Sequence, residues 1–248
     1  MRDPGLLLVD MLTWLAQQKA APLRIVECGT IRHPSFEGHE DGLATYHLAR
    51  WIAKQRHTPH EFYSFELTAG HLKACQAFLR DDGLDDYVTF GLGDADLLLE
   101  HFCQPIDLCY LDAGASPVEN LSQYRRAEKW LRPPGMMVID DVFDPRNADR
   151  GLVTVPYARL EGHKVACIAG RLALISFGVD DYPLPADSYW LQPGDPMLLK
   201  FRDDTRYCAN CHCAEHSDVH TGRFKDAPNQ FLRNMVCDNF VPKPEVRE

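Results

Sequence analysis

Hydrophobic positions follow two alternating periodicities along most of the chain. Short apolar runs of strand length are separated by segments in which apolar residues recur every three or four positions, the spacing of one helix face. The predicted strands cover residues 23–28, 62–67, 87–91, 106–111 and 136–139, and the predicted helices cover 5–20, 43–55, 71–80, 94–102 and a segment opened by Ser116-Pro117. Pro133-Pro134-Gly135 is expected to break the helix opened by Ser116-Pro117, before the fifth strand. This alternation predicts parallel β-α units in a doubly wound sheet.

Two further apolar runs follow at 164–169 and 172–177, and the two residues Gly170-Arg171 between them predict a tight antiparallel hairpin. The expected fold is therefore α/β and Rossmann-like, with a C-terminal antiparallel hairpin and a small Cys/His-rich extension. The predicted divisions are an N-terminal helix at 1–22, a core at 23–180, a wrapping loop at 181–200 and the extension at 201–248. We expect the first helix to pack on the core; a lid or a contact in a homo-oligomer are the alternatives.

The charge balance narrows the class of partner. The chain of 248 residues has 36 acidic side chains against 26 Lys and Arg, for a formal net charge of −10. Nucleic-acid backbones require a cationic surface, so we expect no nucleic-acid partner. No apolar run approaches a membrane span, and the N-terminal run lacks the features of a signal peptide. These patterns predict a cytoplasmic protein.

An acidic residue stands at or just after every predicted strand of the parallel sheet. These residues are Glu27, Glu66, Asp94, Asp112, and Asp140 with Asp141. Ligands of open α/β sheets bind beyond the carboxyl ends of the strands. Clustered carboxylates repel one another, so their placement favours binding of hydroxyls, amino groups or a cation over a purely structural role.

With this order of motifs, and with VECGTIR followed by a long loop, residues 20–180 resemble the class I S-adenosylmethionine-dependent methyltransferases. The branch that the chain is most similar to contains the small-molecule O-methyltransferases and the cephalosporin-hydroxylase-like proteins. The resemblance implies a seven-stranded sheet in which the hairpin supplies the last two strands. It also implies methyl transfer to a small-molecule hydroxyl, by direct displacement that depends on alignment of the reactants.

The resemblance assigns cofactor roles to seven residues. Glu27, Gly29 and Thr30 would face the methionine part, Glu66 would accept hydrogen bonds from the ribose, and Asp94 and Ala95 would bracket the adenine. Asp112 would lie near the sulfonium and the acceptor. In metal-dependent relatives, carboxylates at the positions of Asp112, Asp140 and Asp141 hold a divalent cation such as Mg²⁺, which would make all three catalytic. The alternative is that the last two only cap the fifth strand.

The segment after the fourth strand departs from the family pattern. Many relatives carry Asp-Gly-x-His there, whereas this chain has Asp112-Ala113-Gly114-Ala115. The missing histidine leaves the general base unassigned. His33, His39 and His71 are candidate substitutes, and a plain surface role for each is the alternative.

Nine cysteines are unevenly distributed. Five lie singly in apolar segments and are expected in the core: Cys28, Cys75, Cys103, Cys109 and Cys167. The other four, Cys208, Cys211, Cys213 and Cys237, form a predicted structural zinc site, with His216 or His220 as alternative ligands. An unmetallated tail, an iron–sulfur centre and c-type haem attachment at Cys208-Ala-Asn-Cys211-His212 are the competing interpretations.

Two other functions remain open at this level. A nucleotide-cofactor oxidoreductase would use the same fold, although G-x-G-x-x-G is absent after the first strand. A non-catalytic protein would keep the fold and recruit a partner through its zinc-binding tail.

Overall fold

A computed structural model describes residues 3–19, 22–32, 43–55, 57–114, 116–143 and 150–192. Its centre is an eight-stranded sheet with the order β3-β2-β1-β4-β5-β7-β6-β8. The strands are β1 Arg24–Cys28, β2 Glu61–Glu66, β3 Thr89–Leu92, β4 Ile106–Leu111, β5 Leu131–Ile139, β6 Lys164–Ile168, β7 Leu172–Phe177 and β8 Tyr189–Trp190. The first five strands are mutually parallel, whereas β7 pairs antiparallel with both β5 and β6. The predicted Rossmann-like sheet with its terminal hairpin is therefore confirmed.

Six helices cover the two faces of the sheet in the described part of the chain. They are α1 Pro4–Gln18, α2 Ala44–Lys54, α3 Ala69–Asp81, α4 Ala95–Glu100, α5 Pro117–Glu128 and α6 Gly151–Leu160. Side chains of α1, α2 and α3 pack in one buried apolar cluster, and those of α4, α5 and α6 pack in the other. The first helix thus packs on the core, as expected from its apolar face. No helix among the described residues is long and apolar enough to cross a membrane.

Three local expectations were wrong. The helix predicted to end at Pro133-Pro134-Gly135 already ends at Glu128, and the prolines lie inside β5, which begins at Leu131 and pairs with β4 on both sides of them. The predicted wrapping loop contributes an eighth strand, since Tyr189 and Trp190 pair with β6. Cys103 is exposed, while Cys28, Cys75, Cys109 and Cys167 are buried.

The strand order fixes where a ligand can bind. The chain winds outward from β1 to β3 and then returns to place β4 on the other side of β1. The helices that follow β1 and β4 therefore leave the sheet on opposite faces, which opens a crevice at the carboxyl ends of these two strands.

Candidate active site

A cavity of about 350 Å³ lies at the carboxyl ends of β1, β2 and β4. This volume is within the usual range for small-molecule sites. Its lining comes from four loops and the helix starts that follow them: Gly29, Thr30, Arg32, Phe65, Glu66, Leu67, Thr68, His71, Asp94, Ala95, Asp96, Asp112, Ala113, Gly114, Glu119, Gln123 and Arg150. Six of the seven predicted cofactor residues are in this set, so the structure brings them together.

Gly29 allows the ends of β1 and β4 to approach closely. Its φ is +96°, and a Cβ at this position would lie 2.9 Å from the carbonyl carbon of Asp112. Backbone hydrogen bonds from the Gly29 amide to Phe65 and from the Asp112 amide to Cys28 tie the three strand ends together. Only glycine fits this conformation and this space without strain, which explains why position 29, between β1 and the cavity, is a glycine.

Glu66 occupies the end of β2 and is 7% exposed. Its Oε1 accepts a hydrogen bond of 2.8 Å from the Thr68 amide and lies 3.5 Å from Nδ1 of His71. The carboxylate is therefore held in one orientation at the cavity wall. The same contact places His71, one of the three candidate bases, beside the predicted ribose acceptor.

Asp94 and Ala95 form the start of α4. Asp94 is the N-cap, and its side chain accepts a 2.8 Å hydrogen bond from the Asp96 amide. The backbone before it is fixed by a hydrogen bond from the Gly93 amide to the Glu66 carbonyl. Because the cap orders this turn, Asp94 and Ala95 hold a fixed position on the cavity wall next to the end of β2.

Asp112 follows β4 and forms an ion pair inside the cavity. Nη1 of Arg150 donates to its Oδ1 at 2.7 Å. Burial and the neighbouring Asp140 raise the pKa of Asp112 to about 7, although Arg150 acts in the opposite direction. Burial lowers the pKa of Arg150, but the Asp112 carboxylate outweighs this effect and the pKa is raised overall. Arg150 therefore stays cationic at the cavity wall.

Glu27 lies behind the cavity and does not line it. The side chain is fully buried, and its Oε2 accepts hydrogen bonds from the hydroxyls of Ser64 at 2.6 Å and Thr45 at 2.9 Å. Its Oε1 is buried without a hydrogen-bond partner among the described residues. Burial raises the pKa of Glu27 to about 8, against the effect of the two hydroxyls. This position does not support the predicted contact with the methionine part of a cofactor.

Asp140 and Asp141 also lie outside the cavity lining. Asp140 is 1% exposed and receives two hydrogen bonds of 2.7 Å from Arg171, which is also 2.9 Å from Asp141. Within the described residues, no group of three His, Cys, Asp or Glu side chains is placed to hold a metal ion. The carboxylates predicted to bind Mg²⁺ are instead paired with arginines, so their arrangement does not fit a divalent cation.

Several predicted residues cannot be placed. His33 and His39 lie outside the described residues. The same holds for the predicted zinc ligands Cys208, Cys211, Cys213 and Cys237, and for the alternatives His216 and His220. The zinc site stays a prediction.

Comparison with protein families agrees with the geometry of the cavity. Residues 37–142 match a family described as a methyltransferase domain. Over this segment the chain is similar to that family. The matched segment begins between β1 and α2 in the sequence, ends just after β5, and contains Glu66, Asp94 and Asp112 of the cavity wall. The predicted resemblance to class I methyltransferases and the predicted enzyme class are confirmed. No curated protein sequence matches the chain.

Solved structures share the fold of this chain. Cofactor-bound Rv0187 from MTB superposes with a TM-score of 0.54 at 20% identity, covering 70% of this chain and 79% of that one. A putative O-methyltransferase from Klebsiella pneumoniae gives 0.50 at 23% identity, covering 69% and 80%. SAH-bound PaMTH1 from Podospora anserina gives 0.50 at 17%, covering 68% and 76%.

Sequence analysis missed the two arginines that pair with the acids after β4 and β5. Arg150 follows a segment without a predicted element, and Arg171 stands in a turn where only the hairpin spacing was informative. Gln123 was also missed, because it lies on an α5 position that gives no sign of facing a cavity. A search for basic residues near each strand end could have found Arg171, but could not have shown that it pairs with Asp140 and Asp141.

Proposed function

We propose that the protein is an S-adenosylmethionine-dependent methyltransferase that acts on the hydroxyl of a small molecule. The observation that carries the proposal is the convergence of Gly29, Glu66, Asp94 and Asp112 on one cavity. A buried carboxylate at the end of β2, a close glycine approach at β1 and a capped turn before α4 suit the ribose, methionine and adenine parts of this cofactor.

The chain's own residues bind and align the reactants. Glu66 accepts hydrogen bonds from the ribose hydroxyls, while the turn at Asp94 and Ala95 encloses the base. When bound, S-adenosylmethionine supplies an electrophilic methyl group on a positively charged sulfur. Asp112 stabilises that charge and accepts the proton of the acceptor hydroxyl. Alignment and exclusion of water supply most of the rate enhancement, which explains why the site needs no nucleophilic side chain.

Isothermal calorimetry with S-adenosylmethionine and S-adenosylhomocysteine tests the cofactor. We expect binding by the wild-type chain and a 10- to 100-fold loss in Glu66→Gln, since a hydrogen bond to a charged acceptor contributes about 1.5–3 kcal/mol. Glu61→Gln is the matched control, because Glu61 lies at the opposite end of the same strand and is exposed. No binding at millimolar ligand, or equal binding by Glu66→Gln, would refute the proposal.

A nucleotide-cofactor oxidoreductase is tested in the same experiment by titration with NAD⁺, for which we expect no heat of binding. The acceptor class is tested by following S-adenosylhomocysteine formation with hydroxylated small molecules. The zinc prediction for the tail is tested by metal analysis of the purified chain, which should give about one equivalent of zinc.

A further inference from the structure

Two guanidinium groups neutralise the carboxylates at the ends of β4 and β5. Arg150 directly precedes α6 and forms an ion pair with Asp112. Arg171 lies in the β6–β7 turn and forms ion pairs with Asp140 and Asp141. The two arginines come from different elements and meet neighbouring acids on the same edge of the sheet. The pairing of acids with arginines is therefore shared by two elements at this edge of the sheet, and it is more than one isolated surface ion pair.

The oxygens of Asp140 have no capacity left for a metal ion. Oδ1 accepts hydrogen bonds from Nε of Arg171 at 2.7 Å and from the Asp141 amide at 2.8 Å. Oδ2 accepts from Nη2 of Arg171 at 2.7 Å and from the Tyr110 hydroxyl at 2.8 Å. A divalent cation prefers the same lone pairs, so it would have to displace both the guanidinium and a buried tyrosine hydroxyl.

The charges lead to the same conclusion. Asp112, Asp140 and Asp141 carry three negative charges when ionised, and the two arginines supply two positive charges, as many as one divalent cation. A metal ion added to this set would meet two fixed cations within the same cluster. Coulomb repulsion in a partly buried site makes that arrangement unfavourable.

We propose that Arg150 and Arg171 take the place of a divalent cation, and that methyl transfer at this site is independent of metal. The inference rests on the proposed function, because it concerns the acceptor end of the same cavity. Arg150 is then a positioning residue: its Nη1 contacts Oδ1 of Asp112 at 2.7 Å and the main-chain oxygen of Asp112 at 3.4 Å. These two contacts fix the carboxylate in the cavity, a task that a metal ion performs in metal-dependent enzymes.

Titration with Mn²⁺, followed by the electron paramagnetic resonance signal of the free ion, tests the inference on the full chain without any turnover. We expect that no Mn²⁺ binding by the wild-type chain depends on Asp112, so Asp112→Asn should bind as much Mn²⁺ as the wild type. The double variant Arg150→Gln/Arg171→Gln should gain at least about 10-fold in Mn²⁺ affinity, and Asp140→Asn should remove that gain. Arg150→Lys keeps the charge and should still exclude the ion.

Two results would overturn the inference. One is wild-type binding of a single Mn²⁺ below about 100 μM that Asp112→Asn abolishes. The other is a folded double variant with no gain in affinity. If removal of the partly buried Arg171 prevents folding, Arg150→Gln alone should show a smaller gain of about 3-fold. Arg24→Gln, which removes one positive charge from the exposed pair with Glu61, is the charge-matched control and should show none.

The same samples separate this inference from the proposed function. S-adenosylmethionine binding measured by calorimetry should be unchanged by EDTA. Cofactor binding together with tight Mn²⁺ binding would overturn only the arginine replacement. Absence of cofactor binding would overturn the methyltransferase proposal, whatever the Mn²⁺ titration shows.

Discussion

Replacement of Glu27 by glutamine should remove a pH dependence from the stability of the fold. The Glu27 carboxyl is fully buried, and its pKa is raised from 4.5 to about 8 because burial disfavours the charged form. In the unfolded chain the same carboxyl titrates near its ordinary value. Between about pH 5 and pH 8, the folded state therefore holds a proton that the unfolded state has released, and the free energy of unfolding falls as pH rises.

The size of the effect follows from the span between the two pKa values. Each unit corresponds to about 1.4 kcal/mol, so the shift to about 8 removes up to roughly 5 kcal/mol between acidic and mildly alkaline pH. Glutamine keeps an oxygen that can accept from the hydroxyls of Ser64 and Thr45 and does not ionise. As pH rises, the free energy of unfolding of Glu27→Gln should therefore increase relative to that of the wild type by up to about 1.4 kcal/mol per pH unit.

Urea unfolding of the cofactor-free protein at pH 6, 7 and 8 measures this gain. Asp112 also has a raised pKa, but it is present in both proteins and its contribution cancels in the difference. Glu61→Gln is the control, since Arg24 lowers the pKa of Glu61 and no trend is expected above pH 6. A constant difference between Glu27→Gln and the wild type from pH 6 to 8 would refute the buried, protonated carboxyl.

Three further variants test the packing around the site. In thermal unfolding, Gly29→Ala should lower the stability of the fold by several kcal/mol, and Gly162→Ala by only about 1 kcal/mol. Both residues have positive φ, but only a Cβ at position 29 would lie 2.9 Å from other backbone. Equal losses would contradict the close approach at Gly29. Ser116→Ala removes the capping box of α5 and should cost about 1 kcal/mol in urea unfolding, whereas an unchanged midpoint would show that the cap contributes nothing. Asp107→Asn should cost about 2 kcal/mol at pH 7, because the buried carboxylate that accepts hydrogen bonds from Arg132, Lys19 and the Arg24 amide loses its charge. Burial raises the pKa of Asp107, but its hydrogen bonds outweigh burial and the pKa is lowered overall from 3.8. The stability difference between Asp107→Asn and the wild type should therefore shrink as pH falls below 3.8, and a difference that stays constant would show that the charge of Asp107 is not its cause.

The order of strands and helices could be predicted from the sequence because each element carries its own periodicity. Ser116 with Pro117 and Glu119 predicted the start of α5, and the structure contains that capping box. The Gly170-Arg171 spacing likewise predicted the β6–β7 turn. The strand through Pro133 and Pro134 was missed, because pairing with β4 on both sides outweighs the local preference of proline to interrupt a strand.

The cavity could be predicted in part. Glu66, Asp94 and Asp112 converge because parallel strands end on one edge, a consequence of topology that needs no side-chain detail. Glu27 could not be placed in the same way. Its β1 position points towards Thr45 of α2 and Ser64 of β2, and whether a strand-end residue faces a cavity or a neighbouring helix depends on packing that the pattern does not encode.

The pairing of acids with arginines depends on the hairpin, and this explains why the sequence suggested a metal site. Since β7 runs antiparallel to β5, Ala173 pairs with Ile139, and the turn before β7 lies level with the residues just after β5. Whatever side chain occupies position 171 therefore faces the acids that follow β5. A basic side chain at that turn repels a divalent cation beside these acids, and Arg171 supplies the positive charge itself. In this chain, Arg171 in the β6–β7 turn thus favours an ion pair over a metal site.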